Sequence, residues 1–245
     1  MSKTTLPDSE ASPWLVQQWI LAGMVSSAAR FIPIPFVDDY VRERCHRFVV
    51  SRTLAAHEKS EWLENLQPYY SSGSGFLGSV AGKAARLPVK LMLFPVRKAI
   101  AIATSIRGVP LEIMRTVLLA RSLDRMLESG PGSIDSEQAK AMRQAFDQTF
   151  KRMDFRVFKA AMSDVFDGVG GLKTSAIEAA KRVAQNEDDS SEKPPEGFEV
   201  EQPLQTGAER VQEVLDRPEI LKLFAEFDRR YEKALPLIER IRSPT

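Results

Sequence analysis

The sequence has few of the residues on which many kinds of site chemistry depend. Its 245 residues include one cysteine, Cys45, and only two histidines, His46 and His57. A single cysteine excludes an intramolecular disulfide and favours a reducing compartment. If one helix spans both histidines, they lie roughly 16 Å apart along its axis, too far to ligate one metal ion together. We expect Cys45 to be a buried structural thiol and predict no catalytic residue, metal site or cofactor.

Strong net charge and long apolar runs are also missing. The chain carries 34 basic and 33 acidic residues, a formal net charge of +1, which excludes a generally basic nucleic-acid binder. The longest uncharged stretch of apolar character, residues 11–29, contains two glutamines and three serines. It is too polar and slightly too short for a membrane span, so we interpret it as a buried or interfacial helix. The first 13 residues lack the apolar run of a secretory signal.

Signals for β-structure are absent as well. No segment alternates apolar and polar residues in the manner of a half-buried strand, and no hairpin dipeptide joins two such segments. The sequence therefore predicts an all-α fold, a multi-helix bundle with proline-broken helices and a C-terminal amphipathic helix after an acidic linker. We expect a disordered N-terminus over 1–11, a helical bundle over 12–185, the linker over 186–203 and a C-terminal helical segment over 204–245 that docks on the bundle.

Prolines, glycines and capping residues predict where the helices begin and end. Ser12 before Pro13 is typical of a helix N-terminus, and Asp135 with Gln138 resembles a capping box. Further expected boundaries are a helix from Pro35, a short helix ending near Pro68, a helix from Asp135 through Met153, a capping box at Thr206 and Glu209, and a kink or break at Pro236.

A glycine-rich segment matches the spacing of a dinucleotide-binding loop at Gly73, Gly75 and Gly78. That motif needs a strand before it and a helix after it, and the preceding residues are not typical of a strand. Small residues spaced by four at Ser74, Gly78 and Gly82 would instead share one helical face. We predict close helix packing there, because small residues let helix backbones approach each other.

The strongest positive signal is a basic apolar segment from Lys83 to Arg121. It has eight basic residues and only one acidic residue, Glu112, so its net charge is +7. Basic residues among apolar ones fit contact with an anionic bilayer. The other interpretation is a core helix with a solvated basic face, because long basic side chains commonly cover apolar surface. The candidate membrane or anionic-surface contacts are Lys83, Arg86, Lys90, Arg97, Lys98 and Arg107.

The C-terminal residues form a heptad-like apolar seam, which is typical of a packed amphipathic helix. We define the C-terminal seam as Ile220, Phe224, Phe227, Tyr231, Ile238 and Ile241. It is the candidate surface for a protein partner.

The segment from Ile32 to Asp38 reads I-P-x-P-x-x-D and is followed by an amphipathic helix. It resembles a turn that opens helices in a bacterial helical domain of unknown function appended to some GTPases. The glycine-bearing apolar helices are loosely similar to the EcsC family. The resemblance covers roughly residues 31–56 and implies a helical, membrane-associated protein with no assigned catalytic residue. This chain lacks a GTPase domain.

Two functions are compatible with these features. The first is a non-enzymatic, peripherally membrane-associated helical scaffold or accessory protein, cytoplasmic, bacterial and bound at the inner face of the membrane. The alternative is a soluble helical protein-protein adaptor that uses the C-terminal seam. The expected partner is an anionic membrane surface or a protein, whereas nucleic acid is not expected because no recognisable nucleic-acid-binding motif is present.

Overall fold

In a computed structural model of the protein, the described residues are 11–71, 108–130, 132–185 and 201–242. Within these ranges the fold is an all-α multi-helix bundle of nine α-helices without strands. The helices are α1 (Pro13–Ala28), α2 (Val37–Ala56), α3 (Gln67–Tyr70), α4 (Val109–Glu128), α5 (Ser136–Lys151), α6 (Arg156–Gly168), α7 (Leu172–Gln185), α8 (Gln202–Leu215) and α9 (Pro218–Arg242). Short 3-10 turns cover Ala29–Phe31 and Ser60–Trp62.

Several helix ends follow from local chemistry in the sequence. The Ser12 side chain accepts a hydrogen bond from the backbone N–H of Leu15, and Pro13 opens α1. Asp135 and Gln138 form the predicted capping box at the start of α5, with both reciprocal hydrogen bonds present. Gly130 follows the end of α4 with a φ of 71°, a left-handed conformation that glycine adopts without strain.

The first helix, α1, is the centre of the N-terminal half. It packs mainly against α4 and α2, and its remaining faces contact α7 and α8. Trp19 and Ile20 are buried, so the buried interpretation of residues 11–29 is the one that the structure adopts. A Cβ added at Gly23 would lie 2.9 Å from the Ile113 Cα, which shows that α1 and α4 approach each other through a glycine.

The core is continuous across the described helices. One cluster of buried apolar side chains extends from Leu15 in α1 to Ile238 in α9. The C-terminal helices belong to this cluster, because α8 contacts α1 and α9 contacts α5. At Gly207 in α8 an added Cβ would lie 2.5 Å from a Leu172 methyl carbon, so α8 also sits close against α7.

Three of the predicted boundaries in the first part of the chain are wrong. The second helix begins at Val37 rather than at Pro35, because Phe36 adopts a left-handed conformation with a φ of 68°. Pro68 does not follow a helix but lies in the first turn of α3, where its missing N–H is not needed. The helix from Asp135 ends at Lys151, before Met153, and α6 starts separately at Arg156.

Near the C-terminus the structure contradicts one more expectation and, of the kink or break expected at Pro236, the break. Thr206 and Glu209 do not cap a helix but lie inside α8, which begins at Gln202 with Pro203 in its first turn. The expected acidic linker therefore extends two residues too far. Pro236 does not split α9, because it lies on the exposed side of the helix, where water can hydrate the carbonyl that it leaves without a partner.

Candidate functional site

Most of the candidate contacts predicted from the sequence lie outside the described residues. These are the six basic residues Lys83, Arg86, Lys90, Arg97, Lys98 and Arg107 and the small-residue positions Ser74, Gly78 and Gly82. The predictions for both sets therefore stay predictions. The two places where the chain meets this segment are described, at Ser71 after α3 and at Gly108 before α4.

The last part of the basic segment belongs to the core. Residues 109–121 lie in α4, where Ile113, Met114 and Val117 are buried. The two arginines of this part form ion pairs with acids far along the chain, at 2.8 Å from Arg115 to Asp147 and at 2.9 Å from Arg121 to Asp228. The net charge counted along the sequence therefore overstates the positive surface here, because acids in α5 and α9 pair with both arginines.

The C-terminal seam packs against the chain itself. Five of its six side chains are buried, and the side chain of Ile241 lies outside the described ones. The Phe227 ring meets the Phe146 ring of α5 edge-on at 5.5 Å between centroids, and it stacks on Tyr231 at 6.2 Å. A protein partner could reach these side chains only if α9 left α5.

A buried polar cluster that the sequence analysis did not predict joins α1, α2 and α4. We define the Glu112 cluster as Ser26, Arg42, His46 and Glu112. The Ser26 hydroxyl donates to Glu112 Oε1 at 2.9 Å, and Arg42 Nε donates to the same oxygen at 3.1 Å. His46 Nε2 lies 3.8 Å from that oxygen. One carboxylate oxygen thus collects groups from two other helices.

The charges of the Glu112 cluster follow from burial and from neighbouring arginines. Burial by itself would raise the pKa of Glu112, but the Arg42 guanidinium and the Ser26 hydroxyl outweigh it and hold this pKa below its usual value. The pKa of His46 is lowered to about 4, mainly by burial; the Glu112 carboxylate opposes this shift, and Arg143, Arg42 and Arg115 add to it. At neutral pH the cluster therefore contains an ionised Glu112, an ionised Arg42 and a neutral His46.

The Glu112 cluster fits a structural role better than a catalytic one. Its histidine is fully buried, and within the described residues neither ring nitrogen of His46 has a hydrogen-bond partner. Cys45 is buried beside it, and burial raises the pKa of its thiol well above the usual range, so the thiol stays protonated. The sequence contained one signal for this cluster, namely that Glu112 is the only acid in the basic segment.

A second histidine–carboxylate pair lies at the end of α2. His57 Nε2 lies 2.8 Å from Asp124 Oδ1 of α4, and the Asp124 side chain is almost completely buried. The pair fixes the C-terminal end of α2 against α4. Within the described residues no group of three or more His, Cys, Asp or Glu side chains could hold a metal ion.

The surface of the described helices carries few large apolar side chains. Two of them, Ile34 and Phe36, are half exposed, at 50% and 52%, and lie in one turn between α1 and α2. The other exposed large side chains are Trp14, Val157, Leu221 and Leu237. None of the described helices combines the length and the hydropathy that crossing a bilayer requires.

Comparison of the chain with protein-family models, with curated proteins and with solved structures gave no match.

Proposed function

We propose that the protein is a non-enzymatic helical scaffold or accessory factor that binds peripherally to an anionic membrane surface, at the cytoplasmic face. The observation that carries this proposal is the segment between Ser71 and Gly108, which has six basic residues, no acidic residue and many large apolar residues. Excess positive charge among apolar residues is the pattern of segments that lie at an anionic bilayer. Each basic side chain near such a surface contributes about 1 kcal/mol.

The adaptor alternative has less support, because the C-terminal seam that it would use is buried against α5.

Sedimentation of the full chain with large unilamellar vesicles tests the proposal. We expect binding to vesicles of phosphatidylcholine and phosphatidylglycerol at low salt, weaker binding at high salt, and little binding to phosphatidylcholine alone. Replacing Lys83, Arg86, Lys90, Arg97, Lys98 and Arg107 with Gln should weaken binding by about 100-fold or more.

A matched control separates this segment from overall charge. Replacing six exposed basic residues elsewhere in the described ranges with Gln lowers the formal net charge by the same amount. The control residues are Lys151, Arg156, Lys159, Arg217, Lys222 and Lys233. The control should bind vesicles nearly as well as the unmodified chain. Equal losses in both variants, or no vesicle binding by the unmodified chain at low salt, would contradict the proposal.

A further inference from the structure

The turn between α1 and α2 exposes apolar side chains, and one of them occupies a position where polar residues are preferred. Phe36 occupies the N-cap position of α2, where Ser, Thr, Asp or Asn is preferred, and its side chain makes no capping hydrogen bond. It also adopts a left-handed backbone conformation, with a φ of 68°, which is strained for a residue with a bulky side chain. Its side chain is nevertheless 52% exposed.

One other non-glycine residue of the described chain, Glu58, has the same left-handed backbone conformation. Glu58 has a φ of 57°, but its side chain is charged and lies in water. At Phe36 the chain combines the strained conformation, an unfavourable cap and an exposed aromatic ring. Strained residues persist where the surrounding structure fixes them, and they concentrate at functional positions.

The turn is held firmly while its tip stays accessible. Pro33 and Pro35 fix two backbone φ angles, and Ile32 is buried in the core. The carbonyl oxygen of Phe36 accepts a hydrogen bond from Tyr40 N–H at 3.1 Å, which joins the turn to α2. Ile34 and Phe36 are therefore presented on a rigid support, so their burial in a partner requires little ordering of the backbone.

The position of the turn relates it to the basic segment. Arg30, directly before the turn, lies against Gly108, because a Cβ added at Gly108 would be 2.2 Å from Arg30 Nη1. Gly108 is the residue at which the chain returns from the basic segment. Lys173 of α7 lies over the Phe31 ring at 4.8 Å, so a second cation stands beside the turn. Two acids, Asp38 and Asp39, lie in the first turn of α2, directly after this turn, and Asp39 pairs with Arg42.

We infer that the Ile32–Phe36 turn is an apolar anchor, with Ile34 and Phe36 entering the headgroup–acyl boundary of the bilayer to which the basic segment is attracted. The inference rests on the proposed function. Electrostatic attraction and apolar insertion are separate contributions, and peripheral binding is stable when two such contacts combine. A bilayer is the partner favoured here because the turn lies where the segment with six cations and no acid rejoins the fold.

The test compares two double variants of the full chain on phosphatidylcholine and phosphatidylglycerol vesicles. Ile34→Ser with Phe36→Gly removes both apolar side chains, and glycine relieves the left-handed strain, so the variant should fold. Val157→Ser with Leu237→Ser removes two side chains of similar exposure, 53% and 60%, from other helices. We expect the turn variant to bind about 10-fold more weakly or worse, and the control to bind like the unmodified chain.

Salt dependence distinguishes the failure of this inference from the failure of the proposed function. The turn variant should lose affinity while its dependence on salt stays the same, because insertion does not involve ions. If the unmodified chain binds vesicles and the turn variant binds equally well, the anchor is wrong and the proposed function stands. If the unmodified chain does not bind, both are wrong.

A probe at the turn gives a second, independent measurement. Ile34→Cys can be labelled with an environment-sensitive dye, since the native Cys45 is fully buried. We expect a blue shift of the dye on addition of vesicles, and no shift for the same dye at Val157→Cys. The turn could instead join two copies of the chain. A dimer of the unmodified protein without lipid that the turn variant abolishes would overturn the inference.

Discussion

The two ends of α4 join the rest of the molecule in different ways. Near its start, Glu112 is buried and collects Ser26 and Arg42 from two other helices on one oxygen. Farther along, Arg121 reaches the buried Asp228 of α9 at 2.9 Å, and Arg125 reaches Glu232 of α9, which is 61% exposed. Removing one partner of a buried pair leaves an uncompensated charge, whereas exposed pairs contribute little. We therefore expect the α1–α2–α4 junction to depend strongly on Glu112, and the exposed Arg125–Glu232 pair to contribute little to holding α9.

The seam gives the largest expected effect. Phe227→Asp places a carboxylate against Phe146 in a fully buried position, which should cost about 5 kcal/mol or more of the free energy of unfolding. Because one buried cluster runs from Leu15 to Ile238, we expect the whole chain to become protease-sensitive. Limited proteolysis checks this. Survival of a resistant fragment over 12–185 would instead show that the C-terminal helices form a separate unit.

The Glu112 cluster gives the next largest effect. Glu112→Ala leaves Arg42 paired with the half-exposed Asp39 and leaves the Ser26 hydroxyl without its acceptor, and should lower the free energy of unfolding by about 2 to 4 kcal/mol. The matched control is Glu232→Ala, which removes an exposed partner of Arg125. This variant should change the free energy of unfolding by about 1 kcal/mol or less. Urea unfolding followed by circular dichroism measures both. Similar losses in the two variants would remove the distinction between the two ends of α4.

The pH dependence of stability gives a smaller effect at the same junction of α1, α2 and α4. The pKa of His46 is about 4 in the folded chain and about 6.5 when unfolded, so the unfolded chain takes up the proton first as the pH falls. Stability present above pH 6.5 is therefore lost progressively toward pH 4, by about 3 kcal/mol in all. The lowered pKa of Glu112 acts in the same direction.

Denaturant unfolding at several pH values measures this loss, and His46→Gln should flatten the curve between pH 6.5 and 4. The substitution removes the titrating group, so only the slope is compared and not the absolute stability. If the free energy of unfolding of the variant had the same slope against pH, protonation of His46 would not be the cause of the loss.

Parts of the fold that depend on neighbouring residues were predictable from the sequence. The Ser12–Pro13 start of α1 and the Asp135–Gln138 capping box are confirmed because each involves residues three or four positions apart. The absence of strand patterns predicted the all-α class of the described chain. The apolar spacing in α9 predicted a packed face, although it could not identify α5 as the helix that covers it.

Contacts between distant residues were decided by the tertiary structure. The charge of +7 along residues 83–121 gave no indication that Asp147 and Asp228 would pair with two of its arginines, because an ion pair depends on distance in space. The same holds for Glu112 beside Ser26, 86 positions away. The helical class, the caps at Ser12 and Asp135 and the cationic segment were readable from the sequence, since these depend on local backbone preferences and composition. Which charges are buried and paired, and that Ile34 and Phe36 face outward, was decided only by how the helices pack.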